Sequence, residues 1–122
     1  MWRRGGGGGK LVGVEAVPSP NPGSPMPKAY WIASVDVTDP ENYAKYAAAA
    51  PDVIADHGGK FLARAGRHRQ MEGEGRTRNV VTEFPSFDAA VACWESEAYQ
   101  AARAHRLEAG VASIVIVEGV EN

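Results

Sequence analysis

Hydrophobic and polar positions alternate from Tyr30 to Val37, with Trp31, Ala33, Val35 and Val37 on one side and Tyr30, Ile32, Ser34 and Asp36 on the other. A period of two, carried by aromatic and β-branched residues, predicts a strand. The second side is mixed in character, which suits a face that meets a pocket or a partner. The period then changes. Tyr43, Tyr46, Ala47, Ala50, Ile54 and His57 recur at helical spacing, so their side chains share one helix face. Asp39 is placed to cap that helix, with Pro40 at its first position and Glu41 in its first turn. Pro51 removes a hydrogen bond from the ladder and is expected to kink it. Gly58-Gly59 ends it.

The pattern then repeats. Phe61 to Ala65 predicts a second strand, and His68 to Met71 a short additional strand turning at Gly73-Glu74-Gly75. Arg78 to Phe84 alternates again, with Val80, Thr82 and Phe84 on one side, and Pro85 ends it. Ser86 can cap a helix carrying Phe87, Ala90, Val91 and Trp94, and Ser96 can cap another through Tyr99, Ala102, Ala104 and Leu107. Val111 to Val117 is an almost wholly apolar last strand, as expected of a central or interface-facing one.

The order β-α-β-(β)-β-α-β predicts an α+β fold. It is a ferredoxin-like split βαβ sandwich with an antiparallel sheet, helices on one face and an added hairpin strand. The other sheet face then has apolar residues and no helix to cover it. A second copy of the sheet would serve as its lid, so a homodimer with sheets face to face is expected.

Residues 1–27 differ in composition. Gly5 to Gly9 are followed by Pro18, Pro20, Pro22, Pro25 and Pro27. Such a run resists helix and sheet alike, so a disordered tail or a vector-derived leader is expected there, with Met26 near the true start. The folded unit is expected over 28–120. A unit of that size buries roughly 60–65% of its unfolded surface, which leaves a thin core.

The net charge of -2 favours neither nucleic acid nor membrane. Arg67, Arg69, Arg76 and Arg78 cluster, but Glu72 and Glu74 lie between them and no stacking aromatics do, which points to a solvated hairpin. Cys93 is the single cysteine, so no intrachain disulfide forms. No apolar run approaches a membrane span and no signal peptide is recognisable, so a cytoplasmic location is expected. The glycine run lacks the strand and lysine of a phosphate loop.

Several segments carry a family likeness. Lys28-Ala-Tyr-Trp-Ile-Ala, Asp39-Pro-Glu-Asn-Tyr-Ala-Lys-Tyr, Gly58-Gly-Lys-Phe-Leu-Ala-Arg64 and Arg78-Asn-Val-Val-Thr-Glu-Phe-Pro-Ser-Phe-Asp-Ala-Ala90 resemble the family known as domain of unknown function 1330. Trp94-Glu-Ser-Glu-Ala-Tyr-Gln-Ala-Ala102 and Ile114-Val-Ile-Val-Glu-Gly119 extend the likeness. The resemblance implies a dimeric α+β barrel of the ferredoxin-like kind. That architecture is similar to small cofactor-free monooxygenases, muconolactone-isomerase-like proteins and stress-responsive barrel proteins. It implies no settled activity.

The candidate chemistry lies on the strands and at one helix end. Arg64, expected to share a face with Leu62, needs a carboxylate or a bound anion if it points inward. Asp36 or Glu83 would then be the acid/base group, its pKa raised by burial. Alternatively, Arg64 and these carboxylates form an ion-pair network that orients the sheets or the dimer. His57 either caps the helix end or acts as a base at a pocket mouth. His68 and His105 are expected on the surface. Trp31, Trp94 and Tyr99 supply core bulk, and they are also the candidate wall of an aromatic-substrate pocket. Cys93 reads as a buried hydrophobe and Ser96 as a cap. No histidine pair has ligand spacing, so no metal and no cofactor are expected. The leading expectation is a small-molecule pocket for an acidic or aromatic substrate, with cofactor-free oxygenation or isomerisation as its chemistry. The rival is a noncatalytic dimeric structural or stress-response protein.

Overall fold

The computed structural model describes residues 27–120; the expected Gly/Pro-rich tail, apart from Pro27, lies outside them. The element order is β1 (Ala29–Val37), α1 (Pro40–Asp56), β2 (Lys60–Arg64), β3 (Arg78–Phe84), α2 (Phe87–Glu95), α3 (Glu97–Leu107) and β4 (Gly110–Glu118). Four strands form one sheet in the order β2-β3-β1-β4. All three pairings are antiparallel. This is the ferredoxin-like α+β arrangement.

Each helix starts where its cap chemistry requires. The Asp39 side chain accepts from the Asn42 N–H, Ser86 from Ala89 and Ser96 from Tyr99. Helix α1 continues through Pro51 to Asp56, so the proline removes a bond without ending the element. The chain leaves α1 at Gly58, whose φ of +82° is a left-handed conformation that glycine adopts without a Cβ clash.

Trp31 and Val35 of β1 and Thr82 and Phe84 of β3 are buried on the face toward the helices. The opposite face carries Ile32, Val111, Val115 and Val117, each roughly half exposed. Register places these four together, since Ile32 pairs with Val115, Tyr30 with Val117 and Asp36 with Val111.

Three expectations are corrected. His68 to Met71 forms no strand: it belongs to the connection between β2 and β3, where interleaved charges and glycines offer no apolar face to bury. Strand β4 is not central but an edge strand beside β1. Its apolar residues are shared between the helix-covered face, with Ile114 and Ile116, and the open one. Leu107 is 55% exposed, and Arg106 occupies the buried position instead. Steps of three and four from Tyr99 lead to Ala102 and Arg106, which is the stripe the helix buries.

Gly110 pairs with Val37, and a Cβ there would press on backbone atoms of Asp36 and Val37, which no side-chain movement can relieve. Gly110→Ala should therefore destabilise the protein by about 1–3 kcal/mol. Gly66→Ala, which meets nothing within 4 Å, should change stability by less than about 0.5 kcal/mol. Urea denaturation of both variants checks the contrast.

Candidate functional site

A cavity of about 50 Å3 lies between the sheet and the helical layer. Its apolar wall includes Trp31, Tyr43, Ile54 and Phe61, and it draws on both hydrophobic clusters of the core. Arg64, Arg78 and Arg106 also line it, and among the described residues no carboxylate does.

Each arginine arrives by a different route. A β-bulge in β2 places Phe61 opposite Thr82 and Arg64 opposite Val80, so Arg64 shares the helix-covered face with Phe61. The expected pairing of faces with Leu62 is thereby reversed, because one extra residue flips every side chain beyond it. Arg64 stays exposed at the cavity mouth. Its guanidinium lies 4.5 Å from the Phe61 ring centroid and donates to the Ala47 carbonyl at 3.3 Å. Arg78 continues the alternation of Val80, Thr82 and Phe84 backwards and turns inward, over the Tyr43 ring at 5.2 Å. It thus leaves the solvated arginine cluster in which the sequence pattern placed it. Arg106 is only 5% exposed and stands over the Tyr46 ring at 5.1 Å.

The cavity is rich in unmatched donors. Trp31 Nε1, Arg78 Nε, and Arg106 Nε and Nη2 are buried without a hydrogen-bond partner among the described residues. Leaving such donors unpaired costs about 1–3 kcal/mol each. The ion pairs among the described residues are Lys28–Glu83 at 3.5 Å and Arg76–Asp36 at 3.3 Å. Neither neutralises the arginines of the cavity.

The Tyr46 and Tyr99 hydroxyls meet at 2.8 Å. Burial, then the neighbouring Tyr99, raises the pKa of Tyr46 well above its ordinary value against the opposing effect of Arg106, so its hydroxyl stays neutral. Trp31 meets Tyr99 at 4.9 Å and Trp94 at 5.9 Å between ring centroids. Trp31 and Tyr99 line the cavity; Trp94 stands outside it.

The other expected site residues do not join Arg64. Asp36 lies on the open face of the sheet, where the Thr77 N–H, and then Arg76 and the Thr77 hydroxyl, hold its carboxyl below the usual range despite the opposing effect of desolvation. Its burial-raised pKa is thus corrected to a lowered one. Glu83, on that same face, accepts from Tyr30 Oη at 3.2 Å and faces Lys28. The His57 ring lies 2.9 Å from the Val53 carbonyl at the end of α1 and does not line the cavity. His68 and His105 are exposed. Cys93 is fully buried, and desolvation pushes its thiol up to about 11. Among the described residues no group of three His, Cys, Asp or Glu side chains gathers as a metal's donor set would. No helix among them is long and apolar enough to cross a membrane.

Sequence reasoning overlooked Arg106 and Arg78 as pocket residues. The signal was present in both cases, as a charged residue at a position that the helical or strand period assigns to the core.

Three comparisons bear on this geometry. The model of the family described as domain of unknown function 1330 matches residues 28–120. No curated protein matches the chain. Among solved structures, a Rhodopseudomonas palustris protein of unknown function is 20% identical with a TM-score of 0.65, over 80% of this chain and 85% of that one. SnoaB, a cofactor-independent oxygenase from Streptomyces nogalater, is 10% identical with a TM-score of 0.55, over 80% of this chain and 97% of that one. At these identities the likeness is one of fold.

Tyr46→Phe should destabilise the protein by about 1–3 kcal/mol, because it strands the buried Tyr99 hydroxyl. The double variant Tyr46→Phe/Tyr99→Phe should lose less than the sum of the two single losses. Thermal or urea unfolding of the full cycle checks this.

Proposed function

Since the chain belongs to the family described as domain of unknown function 1330, whose description names no reaction, we propose its function from the cavity: the protein binds a small organic anion between sheet and helices. The observation that carries this reading is a nearly buried Arg106, with no carboxylate partner among the described residues, beside other unmatched donors. A buried cation without a counter-ion is unfavourable, and a bound carboxylate or enolate would remove that cost through charge-assisted hydrogen bonds. Arg106, Arg78 and Trp31 Nε1 would take the acidic group. The aromatic wall would take the apolar part, and Arg64 would close over the mouth.

The room available suits a carboxylate group with a short carbon body. It is smaller than the ~150 Å3 apolar cavity that admits benzene. An aromatic substrate therefore extends past Arg64 toward solvent.

The chemistry this arrangement favours is electrostatic. Guanidinium groups lower the pKa of an adjacent enol or phenol and stabilise its anion. Such an anion can be reprotonated at another carbon, which is isomerisation, or react with dioxygen without a cofactor. Among the described residues the cavity lining has no carboxylate or imidazole to act as base. The reading therefore requires a substrate that is acidic in itself. Asp36, Glu83 and His57 have no part in it.

The fold pairs with a second copy through the open sheet face. Half-exposed Ile32, Val111, Val115 and Val117 support this, since together they form an apolar patch that water covers poorly. The Arg76–Asp36 and Lys28–Glu83 pairs would sit at the rim of that interface. The cavity lies on the other side of the sheet, so the dimer leaves Arg64 free for a ligand. This favours the pocket reading over a purely structural dimer in which Arg64 serves the interface.

Pyruvate is expected to raise the melting temperature, by an amount equivalent to about 2.7 kcal/mol at 100 times its Kd, while its neutral methyl ester leaves it unchanged. Arg78→Gln is expected to weaken pyruvate binding by at least about tenfold. Equal stabilisation by acid and ester, or full binding by Arg78→Gln, overturns the anion reading. Light scattering should give a dimer for the native chain and a folded monomer for Val115→Glu. A native monomer would exclude the sheet-to-sheet pairing.

A further inference from the structure

An open groove of about 210 Å3 lies along the seam between α3 and β4, lined by Trp94, Arg103, Arg106 and Leu107 against Gly110 and Ala112. Among the described residues no carboxylate lines it. Arg103 stacks on the Trp94 ring at 5.0 Å, and its Nη1 donates to Gln100 Oε1 at 3.0 Å. Gln100 in turn donates to the Trp94 carbonyl at 2.7 Å. Trp94, Gln100 and Arg103 thus hold one another, and the guanidinium is set in place before any ligand arrives.

Arg103 Nε, and Arg106 Nε and Nη2, are buried without hydrogen-bond partners among the described residues. Arg106 is 5% exposed and lines both this groove and the inner cavity. We infer that the groove is a second anion site, in which a small oxoanion group, carboxylate or phosphate, lies against the edges of Arg103 and Arg106. Planar guanidinium forks suit such a group better than a point charge would. The Trp94 face already holds Arg103, so the ligand meets the guanidinium edges and needs no aromatic body of its own. This site goes beyond the cavity reading. The two share Arg106, but Arg103 belongs to the groove alone and Arg78 to the cavity alone.

The test is NMR of the arginine Nε–Hε signals in the full chain, titrated at constant ionic strength with inorganic phosphate and separately with acetate. Saturable shifts of the Arg103 and Arg106 signals are expected. Arg103→Gln should weaken that binding by at least about tenfold while leaving pyruvate binding in the cavity unchanged. Arg78→Gln should do the reverse. Arg103→Lys should restore part of the phosphate binding, which a packing defect would not allow. Saturation at lower phosphate than acetate identifies a phosphate ligand, and the opposite order identifies a carboxylate. Arg103 shifts that persist without any pyruvate binding would uphold the groove while removing the cavity reading. Unshifted Arg103 signals with both anions, or phosphate binding untouched by Arg103→Gln, would overturn the proposal.

Discussion

Trp31 touches rings from three other elements: Phe84 of β3 at 5.3 Å, Trp94 of α2 at 5.9 Å and Tyr99 of α3 at 4.9 Å between centroids. These offset and edge contacts tie the sheet's two central strands to two helices at a single side chain. A core this thin has few other anchors, since much of the buried remainder is alanine. The cavity exists because the cluster fills one part of the layer, while the smaller group of Val35, Tyr43 and Ala109 fills another. The space between them is bordered by long cations rather than sealed by apolar bulk.

That border gives the site its character. Arg78 and Arg106 stand with their guanidinium groups over tyrosine rings, which gives each cation a π face but leaves donors unmatched. Buried polar groups are normally satisfied. A set of unsatisfied donors in one small space is therefore what supports the anion reading proposed for the cavity.

The sheet separates the molecule into two faces of different character. Its helix-covered face builds the cavity, and its open face carries the apolar patch and the charged pairs at its ends. Asp36 and Glu83 belong to the open face by register alone, since alternation puts them on the side opposite Trp31 and Phe84. Arg64 would have joined them but for the bulge, which moves it to the helix-covered face.

The strands, helices and caps were legible because they rest on local chemistry. Asp39, Ser86 and Ser96 satisfy orphan N–H groups within three residues of themselves, and the periods of two and 3.6 mark which side chains turn inward. Those same periods also mark Arg78 and Arg106, yet charge argues for exposure, and only packed neighbours decide which tendency prevails. Here the rings of Tyr43 and Tyr46 offered the guanidinium groups a face to stand over. The side on which Arg64 falls depended on a bulge, which costs one residue of register and leaves no mark in the alternation. Sequence alone therefore determined the elements and their order, through interactions a few residues long. The cavity and its three cations were decided by tertiary structure, because side chains distant in the chain had to meet before their unmatched donors could share a space.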